Sequence, residues 1–155
     1  PVSKGHTVSL VTSKGQSIRF KESDVRTMGR GAGGVTGMKF KKGDIIADAD
    51  VITDEKAHLL VVTDKGYGKR TPIKEYKVQK RAGSGIKTAN VTPKTGPVIA
   101  AFVVDDTMTE IIVASKKGQA IRTEISQVPV HGRATQGGRV MKLRDGDSIA
   151  AFAAF

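Results

Sequence analysis

Three lysine–glycine pairs recur along the chain: Lys14-Gly15, Lys65-Gly66 and Lys117-Gly118. Four residues after each glycine stands an arginine: Arg19, Arg70 and Arg122. A third basic set, Arg30, Arg81 and Arg133, sits in the glycine-rich stretches 29–34, 80–85 and 132–137. The middle copy adds Lys69 and Lys80. A lysine at a turn tip and an arginine beside glycines let the backbone approach a phosphate closely, so these types at this spacing point to phosphate contacts. The Arg19 set has a second reading, in which each arginine pairs with a neighbouring carboxylate or lies half buried. Other chemistry finds no support. Gly29-Arg30-Gly31-Ala32-Gly33-Gly34 spells G-x-G-x-x-G, but no strand–turn–helix pattern surrounds it. His6, His58 and His131 do not cluster, and Asp48, Asp50 and Asp54 lack the glycine and closing glutamate of a calcium loop. There is no cysteine, which excludes a thiol nucleophile, a cysteine-ligated zinc and a disulfide framework. No catalytic residues, metal ligands or cofactor are expected.

The elements that must position these cations follow from the same intervals. The glycines at 15, 66 and 118 are 51 and 52 residues apart, and the same offsets relate Gly34, Gly85 and Gly137. Three copies of one unit are therefore expected, at 7–52, 58–104 and 110–155, with a short insertion at Thr92-Pro93. Each copy opens with a β-branched, apolar stretch, crosses a Lys-Gly turn suited to positive φ, and continues into a second extended stretch. A glycine-rich segment, an apolar stretch such as Met38–Phe40 or Val140–Leu143, and a closing run complete it. That makes about four short strands per unit, the size of a propeller blade. Helical periodicity is weak, and its best stretch, 72–81, is interrupted on both sides by turn residues. Tyr76 aligns with Val25 and Val128 and is expected in the core. Tyr67 aligns with Gln16 and Gln119 and is expected at the surface. The acidic residues Asp48, Asp50, Asp54 and Glu55, then Asp105, Asp106 and Glu110, read as solvated links between blades.

Composition agrees with this outline. The chain has 155 residues with 26 Lys+Arg against 15 Asp+Glu, a net +11, which argues for a polyanionic partner. Residues 53–104, with 10 basic against 4 acidic side chains, are the most basic third. Glycine is 18 residues, about 12% against a usual ~7%, as many tight turns require. No apolar run approaches the ~18 residues of a membrane span, so no membrane association is expected, and a cytoplasmic protein is the default.

Three motifs together carry a family resemblance: Gly66-Tyr67-Gly68-Lys69-Arg70-Thr71-Pro72, Gly132-Arg133-Ala134-Thr135-Gln136-Gly137 and Val25-Arg26-Thr27-Met28-Gly29-Arg30. The chain resembles the C-terminal DNA-wrapping domain of the bacterial DNA gyrase A subunit over all three units. The resemblance implies an all-β, propeller-like β-pinwheel of three four-stranded antiparallel blades, with strands exchanged between neighbours and duplex DNA bent along a basic perimeter. It implies a fragment of the later blades, non-catalytic by itself, within an ATP-dependent type II topoisomerase. The partners would be duplex DNA and the remaining gyrase A and gyrase B subunits. The family's basic box, Q-[KR]-R-G-G-x-G, is matched most nearly by Gln79–Gly85, where Ala82 replaces a glycine, so this segment reads as a degenerate echo. The corresponding domain of topoisomerase IV, and a propeller-type protein-interaction module, are the alternatives. The DNA-contacting candidates are Lys14, Arg19, Arg30, Lys65, Lys69, Arg70, Lys80, Arg81, Lys117, Arg122 and Arg133. Open strand edges lead to an expectation of self-association, or of residues 149–155 covering a neighbouring blade.

Overall fold

Each Lys-Gly pair closes a hairpin, because its glycine takes a φ near +90° that a side chain would resist: +85° at Gly15, +90° at Gly66 and +92° at Gly118. The computed structural model describes residues 6–21, 43–79 and 85–155. In the first unit Thr7–Thr12 (β1) and Gln16–Lys21 (β2) pair antiparallel, and Ile46–Ile52 (β3) lies on the other side of β1. The second unit contains His58–Thr63 (β4), Tyr67–Pro72 (β5), two short strands Val78–Gln79 (β6) and Ile86–Lys87 (β7), and Val98–Val104 (β8). The third contains Glu110–Ser115 (β9), Ala120–Glu124 (β10), Gly138–Arg139 (β11) and Ile149–Ala154 (β12). The described helical structure is two single 3-10 turns, Ile73–Glu75 and Ile125–Gln127.

The chain is all-β, and its sheets are built across unit boundaries. β6 pairs parallel and β7 antiparallel with β2 of the preceding unit, and β11 pairs antiparallel with β5. The second blade therefore reads β11-β5-β4-β8. The third reads β10-β9-β12, three strands among the described residues. The apolar run at Val140–Leu143 is not a strand. Its backbone instead docks on the preceding turn, where Val140 and Met141 donate their amides to the Gly66 carbonyl at 2.7 and 3.2 Å. Thr88 and Ala89 do the same to Gly15, at 2.8 and 3.2 Å.

Strand alternation then places two cores between blades. On β4, Leu59 and Val61 face the first blade, where they share a core with Val11 and Ile52 of that blade and with Val98 and Ala101 of β8 in their own. Leu60 and Val62 face the third, where they meet Ile111, Val113, Val128 and Ile149. All four are at most 2% exposed, so β4 is buried on both faces, as its unbroken apolar run requires. Tyr76 lies in the first core, its hydroxyl 2.6 Å from Thr88 Oγ1.

One expectation needs correction. Asp48 and Asp50 are not solvated links; they lie in β3, and their carboxylates accept the amides of Ala101 and Val103 in β8 at 3.0 and 2.8 Å. They satisfy backbone donors on the neighbouring blade that no strand reaches. The closing strand β12 pairs with β9 of its own blade and also meets the second blade, where Ile149 donates to the Asp64 carbonyl at 2.7 Å and the Phe152 ring lies 5.3 Å from that of Phe102 in β8.

Candidate nucleic-acid interface

At the turn end of the second blade, strand exchange gathers five cations around one tyrosine. Lys65 comes from the β4–β5 turn, and Tyr67 begins β5. β11 lays Arg139 directly opposite Tyr67, and the chain continues through Lys142 and Arg144. Lys94 comes from the insertion at Thr92-Pro93, which forms a tight turn: Thr95 and Gly96 both donate to the Thr92 carbonyl, at 3.1 and 2.9 Å. The result is an open cleft of about 480 Å³ lined by these residues together with Asp145 and Asp147.

Its chemistry suits a phosphodiester backbone. Arg139 donates through Nη2 to the Tyr67 hydroxyl at 3.1 Å, and its guanidinium stacks 5.5 Å from the ring centre. Lys94 Nζ lies 5.6 Å from the same centre, so the ring is flanked by two cations. The Arg139 hydrogen bond pulls the phenol pKa below its usual value, and the Arg139 and Lys94 charges act in the same direction. Tyr67 accepts from Arg139 and keeps its own proton to donate. Contrary to its alignment with two glutamines, Tyr67 is 6% exposed, because β11 and the insertion close over it.

The opposite end of the hairpin has the opposite charge. There a cleft of about 580 Å³ is lined by Asp105, Asp106, Glu110 and Glu124 around His58 and Arg70. Burial, then the Arg70 charge, pulls the His58 pKa down, while Asp106 opposes them. A polyanion would be repelled from this end and drawn to the other.

The residues singled out from the sequence fall into three groups. Arg30, Lys80 and Arg81 lie outside the described residues, as does most of the Gln79–Gly85 box. Lys14, Lys65 and Lys117 are exposed at the turn tips. Lys65 and Lys117 fold back onto the carbonyls of Pro93 (2.8 Å) and Asp145 (3.3 Å), which fixes where their charges sit.

Of the others, all but Arg122 tie blades together. Arg19 is 4% exposed. It donates to Thr7 Oγ1 at 2.9 Å and to the carbonyls of Ile73 (3.4 Å) and Tyr76 (3.1 Å) in the next unit, and pairs with Glu55. Arg70 repeats the device, donating through Nε to the Val128 carbonyl at 2.9 Å. Arg133 is half-buried and donates to the Lys87 carbonyl at 3.0 Å. Arg122, at the same position of the third unit as Arg19, is 63% exposed, pairs with Glu110 in its own blade and lies 5.3 Å over the Phe155 ring.

Lys69 is 1% exposed, inside the Gly132–Gly137 loop. Its Nζ donates to the carbonyls of Gly132 (2.8 Å), Arg133 (2.6 Å) and Thr135 (2.9 Å), and lies 3.1 Å from Thr135 Oγ1. Arg19 and Lys69 are thus structural cations, turned inward because their partners belong to the following unit. The sequence does signal this for Lys69, since its counterparts are Ile18 and Ile121. Lys94, Arg139, Lys142 and Arg144 gave a weaker signal, because each has a basic counterpart in one other unit and not in both: Lys42, Lys87, Lys39 and Lys41.

Burial lowers the Lys69 pKa from 10.5 to about 8; Glu75 pushes it back up and Arg133 further down. The unfolded chain therefore keeps this proton above pH 8 while the folded chain gives it up. Stability should rise with pH between about 8 and 10.5, and Lys69 should contribute no slope below 8. A ¹³C titration of the lysine side chains should show one midpoint near 8 that disappears in Lys69→Met. Its absence would mean that the carbonyl cage fully offsets burial.

Comparison with known proteins places this geometry. The sequence model of the family described as "DNA gyrase C-terminal domain, beta-propeller" matches residues 6–53, 57–105 and 109–155. The DNA gyrase A subunit of Staphylococcus epidermidis is 40% identical over 147 residues, covering 94% of this chain and 16% of the relative. That of Mycobacterium tuberculosis is 42% identical over 153 residues, covering 97% and 18%. The chain thus spans less than a fifth of the length of these relatives. A solved DNA gyrase A C-terminal domain superposes with a TM-score of 0.88 at 33% identity, covering 99% of this chain and 52% of that one. A topoisomerase IV C-terminal domain superposes with a TM-score of 0.85 at 23% identity, which is a likeness of fold.

Proposed function

The chain belongs to the DNA gyrase C-terminal domain family, a β-propeller family, and from that premise we propose that it binds duplex DNA through the cationic cleft at the turn end of its blades and bends the duplex across them. The observation that carries this reading is the convergence of Lys65, Lys94, Arg139, Lys142 and Arg144 on one cleft, with the carboxylates concentrated at the other end of the hairpin. Binding is by phosphate neutralisation. No element suited to reading base edges accompanies the cations among the described residues, so affinity is insensitive to sequence. Bending a 20–30 bp segment by 40–90° costs on the order of 1–6 kcal/mol, which contacts on successive blades must offset. Within a longer gyrase A polypeptide, and with its gyrase B partner, the module would present bent DNA to an ATP-dependent type II topoisomerase and support supercoiling.

Fluorescence anisotropy with unrelated 30-bp duplexes tests the reading. Five phosphate contacts give a slope of log K against log[salt] of about −4.5, the same for every sequence. A slope near zero, or tighter binding to polyglutamate than to duplex, would remove DNA as the partner in favour of an acidic protein.

A further inference from the structure

Tyr67 stands at a position that the other two units fill with glutamine, Gln16 and Gln119. Gln119 engages its side chain within the third unit, where Oε1 accepts the Arg144 amide at 3.1 Å. Tyr67 instead lines the cationic cleft. Its backbone is pinned by Thr63, whose Oγ1 accepts the Tyr67 amide at 3.2 Å and donates to the Tyr67 carbonyl at 3.3 Å.

The two cations that flank the ring are fixed as well. Arg139 is held opposite Tyr67 by the register of β11 on β5. Lys94 belongs to the insertion that the second unit alone carries. That turn is closed by the buried Thr95, whose Oγ1 accepts the Thr92 amide at 3.1 Å. Lys65 holds it from the other side through the Pro93 carbonyl at 2.8 Å.

Around the Tyr67 hydroxyl the neighbours are donors. Arg139 donates to it at 3.1 Å, Lys94 stands on the ring as a second cation, and neither can accept. Asp147, also in the cleft, turns its Oδ1 to the amides of Lys117 and Ser148. Among the described residues no group accepts the phenol proton. An unused O–H, a guanidinium and an ammonium around one point are complementary to the two free oxygens of a phosphodiester.

We propose that Tyr67 contacts the DNA directly: its hydroxyl donates to one free oxygen of a phosphodiester while Arg139 and Lys94 hold the other, which fixes the duplex at one point between the second and third blades. This contact presupposes the duplex binding proposed above and adds to it a neutral donor that a count of charges does not reveal. Binding through the phenol proton opposes its loss. In the free protein the Arg139 hydrogen bond, aided by the Arg139 and Lys94 charges, pulls the phenol pKa down. The other charges in the cleft are Lys65 from the hairpin turn and Lys142, Arg144, Asp145 and Asp147 from the segment after β11. A bound phosphate brings an acceptor and a negative charge, and both push the pKa back up.

Tyrosine ¹³Cζ NMR reads this directly, since the chain has two tyrosines and burial raises the pKa of the other, Tyr76. Adding a 30-bp duplex at low salt should move the Tyr67 midpoint up and leave that of Tyr76 in place. Tyr67→Phe keeps the ring and every charge. It should lower duplex affinity about 10- to 100-fold, the loss of one hydrogen bond to a charged group, with the slope of log K against log[salt] near the wild-type value. A slope flattened by about 0.9 would mean that Tyr67 acts only by placing Arg139. That result, a Tyr67 midpoint that bound duplex leaves in place, or a Tyr67→Phe chain that binds like wild type would each overturn the contact while DNA binding itself stood. Absence of duplex binding at low salt would overturn both.

Discussion

Duplex affinity should fall about 500-fold at 0.1 M salt when Lys94, Arg139 and Lys142 are replaced together by alanine. Each phosphate neutralised contributes about 0.9 to the slope of log K against log[salt], hence about eightfold at 0.1 M relative to 1 M. Removing three cations should flatten the slope from about −4.5 to about −1.8, equally for all sequences. All three side chains are exposed, so the fold should persist, which circular dichroism checks. The informative control is Lys56, Lys74 and Lys77→Ala. It removes the same charge from exposed positions away from the turn end, near the start of β4 and beyond the end of β5. Its slope should stay near wild type. If both triple variants weaken binding alike, the protein attracts DNA by net charge, and the cleft is not the contact surface.

The second large effect is on stability. Gly66→Ala should destabilise by about 3–4 kcal/mol. A side chain in this positive-φ region costs about 1–2 kcal/mol. The new Cβ, 2.3 Å from the Met141 carbonyl oxygen, must also displace a segment whose Val140 and Met141 amides bond to Gly66, at roughly 1 kcal/mol each. Gly118→Ala carries only the first cost, about 1–2 kcal/mol, because its Cβ enters open space. Urea unfolding of the two variants should therefore differ by about 2 kcal/mol, although both replace a glycine after a lysine at equivalent hairpin turns. Equal losses would show that strand exchange does not stabilise the second blade.

These paired glycines also separate what the sequence contains from what folding adds. The repeat interval, the Lys-Gly hairpins and the all-β class are local properties. Strands of this length announce themselves by apolar runs between turn residues, and a turn glycine needs no distant partner to be recognised. The central position of Tyr76 was equally legible, since its counterparts are valines. Apart from Lys69, the roles of the cations were not. Arg19, Arg70 and Arg122 are one residue by alignment, yet Arg19 is buried, Arg70 is half-buried and Arg122 is mostly exposed. What differs is whether the next unit supplies backbone carbonyls to receive the guanidinium. Lys69 carries a charge on a position that its counterparts fill with isoleucine, and only the folded Gly132–Gly137 loop provides the oxygens that accept it. The cleft itself joins Lys65, Tyr67 and Lys94 of one unit to Arg139, Lys142 and Arg144 of the next, through the pairing of β11 with β5. A linear sequence specifies which side chains can bind a phosphate. Which of them face solvent together is decided by strand exchange, because burial and hydrogen bonding are conferred here by the neighbouring unit rather than by the residue's own.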